Sequence, residues 1–140
     1  MIINKEINSS LLPSGVSSFH PHARQVGDFI YVSGLIARKL GQEKIPGVIY
    51  NETGEITGHD VTEQFRAIYE NLVIILNEAG SSIEKVFDVT VFLTNIKDDF
   101  KKFNVVYGEL LGKVNPCRTT IEVSKFPSPV CIEIKIIALK

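Results

Sequence analysis

DVTEQFRAIYENLVIILNEAGSSIEKVFDVTVFLT, residues 60–94, changes its hydrophobic period once. In its first part Val61, Phe65, Ile68, Leu72, Ile75, Leu76 and Ala79 recur at steps of three and four, which lines one face of a helix over residues 60–79. Asp60 followed by Glu63 resembles a capping box, and Gly80 suits the left-handed cap that ends such a helix. From Lys85 the step falls to two. A strand is expected at 85–94, with Phe87, Val89, Val91 and Leu93 on one side and Asp88, Thr90 and Phe92 on the other. A helix followed by a half-buried strand is the unit of an α/β layer.

The rest of the chain extends this unit. A second helix is expected at about 97–111, with Phe100, Phe103, Val106, Tyr107, Leu110 and Leu111 inward and Gly112 at its end. Strands are expected at about 117–124 and 130–139, separated by Pro127 and Pro129. Upstream, residues 2–7 read as a short strand, and 23–35 as two strands meeting at Gly27-Asp28. Residues 8–22 read as loop. Residues 36–58 read as a long irregular connection with a small hairpin at Asn51–Gly54, of a length often associated with function. The order β, β, β, α, β, α, β, β predicts a single α/β (α+β) domain spanning 1–140, with two helices on one face of a mixed six-stranded sheet.

Two helices cover only one face. In the last strands Arg118, Thr120 and Glu122 alternate with Thr119, Ile121 and Val123, and Glu133 and Lys135 alternate with Ile132, Ile134 and Ile136. Each strand is therefore expected to give an apolar side to the helices and a mixed side to something else. Phe92, Cys131 and Ile137 on that mixed side are too apolar for water, so a subunit interface is expected there.

The chain has 15 basic and 16 acidic residues, net charge −1, and no basic stripe, which argues against a dedicated nucleic-acid binder. No apolar stretch approaches the ~18 residues of a membrane span, and the opening MIINKEINSS lacks the apolar core of a secretion signal. Cys117 and Cys131 have neither C-x-x-C nor zinc spacing and are expected to be small buried hydrophobes. A soluble cytoplasmic protein is the expectation.

Periodicity exposes no catalytic triad, P-loop or dinucleotide fingerprint. What remains is polar residues in apolar surroundings. The planar fork of Arg118, at a strand start, suits a carboxylate, or else forms a structural ion pair or lies on the surface. Glu133, between two isoleucines, could activate a water if burial raises its pKa, or else faces solvent. His20 and His22 form H-x-H, but no third metal ligand has sensible spacing, so a loop histidine near a ligand or in solvent is preferred to a metal site. Ser33-Gly34 permits close backbone approach or is a simple bulge. Asn104 lies beside the apolar stripe of its helix, and Arg38-Lys39 opens the long loop.

Six segments, in order, resemble the Rid (YjgF/YER057c/UK114) family of enamine and imine deaminases. They are VGDFIYVSGLI, Gln64-x-Arg66-Ala67-x-x-x-Asn71-Leu72, ILNEAGSS, VFDVTVFLTNIKDDF, Asn104-x-x-Tyr107, and PCRTTIEV with CIEIKIIAL. The resemblance implies a chorismate-mutase-like fold and a homotrimer with active sites between subunits. It implies hydrolysis of a carboxylate-bearing enamine or imine to a keto acid or enol plus ammonia, with no cofactor. Arg118 would bind the substrate carboxylate and Glu133 would direct the hydrolytic water. Ser33, Gly34 and Asn104 would line the pocket, with Thr120 where many members carry Cys. His20 falls where common members carry Tyr. Together with Pro21-His22, V-G-D-F, the Arg38-Lys39 pair and the long loop, this looks closer to the 2-aminomuconate deaminase branch. A dicarboxylate would need a second cation, from Arg38, Lys39 or Arg24. A non-catalytic keto-acid or amino-acid binding trimer, and an endoribonuclease or translation inhibitor, are the alternatives.

Overall fold

A computed structural model describes residues 1–14 and 19–140. Six strands form one mixed sheet: β1 (Asn4–Ile7), β2 (Ala23–Val26), β3 (Phe29–Leu35), β6 (Val86–Leu93), β7 (Cys117–Glu122) and β8 (Ile132–Leu139). Their order is β1-β2-β3-β8-β6-β7, antiparallel except for the β6–β7 pair. The hairpin expected around Asn51–Gly54 is a separate ribbon, β4 (Val48–Tyr50) with β5 (Ile56–His59). Its turn is held by the Asn51 side chain, which accepts from the backbone N–H groups of Thr53 and Glu55. Helices α1 (Val61–Glu78) and α2 (Ile96–Leu111) pack together on one sheet face.

The helix ends follow the local sequence. Asp60 Oδ1 accepts from Glu63 N at 3.1 Å, so the first turn is capped. At the other end Ser81 N donates to Leu76 O and Gly80 N to Asn77 O, with Gly80 at φ +72°, the Schellman closure that glycine accommodates without a Cβ clash. Phe65, Ile68, Leu72 and Ile75 of α1, and Phe103, Val106 and Leu111 of α2, bury against Ile30, Val32, Val89, Val91, Leu93, Ile132, Ile134 and Ile136. Removal of this apolar surface from water is the main stabilising term. No helix among the described residues is long and apolar enough to cross a membrane.

The second sheet face is open and carries exposed Phe29, Tyr31, Phe87, Ile121 and Leu139. Three expectations about the two faces are corrected. A register shift between Val86 and Asp88 turns Val86 into the core and puts Phe87 on the open side, edge-on to Phe29 with ring centroids 5.9 Å apart. In β7 the sides are the reverse of those expected. Arg118 and Thr120 pair with Val89 and Val91 and face the helices, while Thr119 and Ile121 pair with Thr90 and Phe92 and face outward. A parallel ladder puts paired residues on the same side, and β7 is an edge strand whose outer half buries little. Finally, Cys131 precedes β8 and points inward, 1% exposed, whereas Cys117 is exposed on the edge strand. Cys131 N and Sγ both donate to Gln64 Oε1, at 3.0 and 3.3 Å, which draws the cysteine under α1.

Candidate functional site

The middle of β3 breaks its pairing with β8 between Val32 and Leu35. This bulge is Ser33-Gly34. Ser33 N donates to His22 O at 3.0 Å and Ser33 Oγ donates to Pro21 O at 2.7 Å, so the bulge belongs partly to the preceding loop. Glu133, on the neighbouring strand, fills the space left by the missing side chain at Gly34. A Cβ there would stand 2.9 Å from Glu133 Cδ and 3.1 and 3.2 Å from its oxygens. Burial pushes the Glu133 carboxyl above the usual carboxylate range, and the charge of His20 pulls it partly back. Such a group is a better proton acceptor than an exposed glutamate.

Around Glu133 lies a cavity of about 350 Å³. Ser33, Gly34, Leu35 and Ile36 form one wall, Leu12 and Pro13 another, and Phe126, Pro127 and Ser128 a third. The loop walls are tied by His22, not by regular structure. Ser9 N donates to His22 Nδ1 at 3.0 Å, and His22 Nε2 donates to Pro13 O at 2.9 Å. Both ring nitrogens are thereby occupied, and the H-x-H sequence serves as a loop brace. His20 stands at the mouth, shared with a shallower groove outside, and its Nδ1 lies 3.2 Å from Pro21 O.

Of the three candidate second cations, one reaches the cavity. Lys39 Nζ is held by Ala67 O, Glu70 Oε2 and Asn71 Oδ1 at 2.8–3.0 Å. Arg24 pairs with Asn4 and Glu6 on the β1–β2 ribbon. Arg38 lines the cavity. Its backbone is fixed from below, because Asn71 Nδ2 donates to both Ile36 O and Arg38 O at 3.1 Å.

Arg118 sits elsewhere. Its guanidinium lies 4.6 Å from the Tyr107 ring centroid and within 6 Å of Phe100 and Phe103, and Nη1 donates to Asn104 Oδ1 at 2.8 Å. The planar cation stacks on aromatic faces of α2, and its remaining N–H groups have no hydrogen-bond partner among the described residues. Thr120 Oγ1 and Tyr107 Oη, nearby, are buried without a hydrogen-bond partner among the described residues. Burial pushes the Tyr107 phenol up and Arg118 pulls it back.

One protomer thus holds two separate polar clusters. Glu133, Ser33, Gly34, His20 and Arg38 meet in the cavity. Arg118, Asn104 and Thr120 form a second cluster on the helix side of β7. Sequence reading missed the cavity roles of Asn71, Phe126 and Ser128. For Asn71 a signal existed: a carboxamide at a core position of the α1 stripe, 3% exposed, must find buried partners. Phe126 and Ser128 carry no periodic signal.

The sequence profile of the family described as Endoribonuclease L-PSP matches residues 12–140. A RutC family protein of Pyrococcus abyssi is 42% identical over 121 residues, covering 86% of each chain. The mitochondrial protein mmf2 of Schizosaccharomyces pombe is 40% identical over 86% of this chain and 83% of its own. Among solved structures, YyfA of Yersinia pestis, described as of the Rid family, superposes with TM-score 0.80 at 27% identity over 99% of this chain and 100% of its own. Escherichia coli TdcF with bound serine gives 0.77 at 28% over 97% and 98%. By its matched profile, its relatives and its fold, the chain belongs to the Rid/YjgF family, the group also described as Endoribonuclease L-PSP.

Proposed function

We propose that the protein is an enamine/imine deaminase acting on a small carboxylate-bearing substrate, and that it works as a homotrimer with the active site between subunits. The observation that carries the reading is Glu133: a half-buried carboxyl with raised pKa, pressed on Gly34 in a cavity. Arg118 and its Asn104 partner occupy the opposite side of the same sheet, so Arg118 would reach this cavity from a second copy. The exposed apolar residues of the open face give that copy a surface to cover.

In this reading the substrate carboxylate docks on the free edge of Arg118, which places the C=N carbon beside a water at Glu133. Glu133 accepts a proton as the water adds, and the intermediate collapses with loss of ammonia. Orientation and proton transfer are the protein's contributions. No cofactor takes part in this scheme. The finer proposal is a 2-aminomuconate-like dicarboxylate, whose distal carboxylate would take Arg38. The setting is a reducing compartment; mmf2 bears a mitochondrial designation, so the proposal is not restricted to the cytosol.

The second reading is a non-catalytic amino-acid or keto-acid binding trimer, favoured by the serine bound in TdcF. An endoribonuclease role, named in the family description, is disfavoured by a net charge of −1.

The test is ammonia release by wild type and Arg118→Ala, on imines generated in situ by an amino-acid oxidase and on 2-aminomuconate generated from its semialdehyde. Acceleration by wild type, and its loss in a still-trimeric Arg118→Ala, supports the deaminase reading. Turnover of amino-acid imines without turnover of aminomuconate removes the dicarboxylate refinement. No turnover of either leaves the binding trimer as the better reading.

A further inference from the structure

We infer that His20 is the proton donor to the imine nitrogen as water adds, acting with Glu133 in the same cavity; this rests on the deaminase reading above. Hydrolysis of a C=N bond requires two proton movements, one off the water and one onto the nitrogen. A single carboxylate serves the first. The cavity holds a second titratable side chain at its mouth, His20, close enough for its charge to act on Glu133.

The geometry of His20 suits the task. With Nδ1–H donating to Pro21 O at 3.2 Å, the ring is fixed by its backbone-facing nitrogen, and Nε2 has no hydrogen-bond partner among the described residues. His22, two residues on, has neither nitrogen to spare, since Ser9 N and Pro13 O take both. The other charged groups near His20 are Glu133 on β8 and Arg38 after β3 in the cavity, and Glu6 on β1 in the outer groove. Arg38 is permanently charged and cannot act as an acid near neutral pH. Among the described cavity residues this leaves His20 as the group able to give a proton to nitrogen and take one back.

The protons balance. As water adds to the carbon of the neutral imine, Glu133 takes a water proton, the C=N electron pair moves to nitrogen, and protonated His20 gives nitrogen its proton through Nε2. The product is the neutral carbinolamine. Glu133 then returns its proton to the amine, the hydroxyl proton passes to His20, the C–N bond breaks as C=O forms, and ammonia leaves. Both side chains end as they began. The active form needs Glu133 ionised and His20 protonated, so the rate should fall on the acid side with Glu133 and on the alkaline side with His20.

The experiment is a pH–rate profile, corrected for spontaneous hydrolysis, for wild type, His20→Gln and His20→Tyr, each confirmed as folded by thermal melting. Wild type should be bell-shaped. His20→Gln should lose about 10²–10³-fold in kcat near neutrality and lose the alkaline limb, with KM near wild type. His20→Tyr should keep an alkaline limb moved to higher pH, since phenol titrates above imidazole. A wild type with no turnover overturns the deaminase reading and this role together. An active wild type whose His20→Gln profile retains both limbs and most of kcat overturns the role of His20 alone.

Discussion

Glu133 and Arg118 lie on opposite faces of one sheet. Glu133 pairs with Phe92 on the open side of β6, and Arg118 pairs with Val89 on its helix side. Neither residue can reach a common small ligand within one protomer unless a partner supplies the other. If sites form between copies, Arg118→Ala and Glu133→Gln should each be inactive alone, because every site lacks one member. Co-refolded in equal amounts, a closed ring in which each site draws one residue from each of two neighbours should recover about a quarter of wild-type activity. Ammonia release from the mixture measures this, and recovery of nothing from a trimeric mixture would rule out sites shared in this way.

The contact between Gly34 and Glu133 makes a second prediction. Gly34 has an ordinary backbone conformation, so alanine there strains nothing locally, but its Cβ would stand 2.9 Å from the Glu133 carboxyl carbon. Gly34→Ala should therefore displace the carboxylate and reduce kcat/KM by at least about 10-fold, equal to ~1.4 kcal/mol of transition-state stabilisation. Steady-state kinetics beside a thermal melt separates this from unfolding.

Glu133 should also impose a cost on the fold. Its folded pKa is raised by burial, so the native state disfavours the ionised form relative to the unfolded chain. Stability from this group is fully present below the unfolded carboxylate pKa and is lost as pH rises through the raised folded value. Glu133→Gln should thus melt higher than wild type at pH 7–8, with the advantage vanishing in acid. Scanning calorimetry across pH decides it, and a variant less stable than wild type at neutral pH would count against the burial argument.

Asn71 should matter to both stability and the site. Its carboxamide satisfies the carbonyls of Ile36 and Arg38 and receives the Lys39 ammonium, all at a nearly buried position. Asn71→Ala should cost about 1–3 kcal/mol by leaving these groups without that partner. The urea midpoint should fall with an unchanged denaturant slope.

The elements themselves were legible because period-two and period-3.6 patterns survive in the sequence wherever one face is buried. The sidedness of β7 was not, because Arg118 packs its cation on aromatic rings of α2 and so breaks the rule that the polar side faces outward. Phe87 was misplaced for a related reason: one extra residue at the β6 bulge inverts the pattern locally. The catalytic candidate Glu133 and the pocket candidates Ser33 and Gly34 were found as polar or small residues inside apolar strands, and the structure brings them together. The braces around them, Ser9 with His22 across 13 residues and Asn71 with Ile36 across 35, are single hydrogen bonds between distant segments that no periodicity encodes.

The clip of Asn71 and Lys39 beneath Arg38 has a consequence for loop length. By fastening the root of the connection to α1, it insulates the cavity wall from whatever follows. The connection onward to the β4–β5 ribbon can lengthen at small entropic expense, since closure entropy grows only logarithmically with loop length. The outer segment can accordingly change in length without moving the floor beside Glu133, because the clip holds that floor independently.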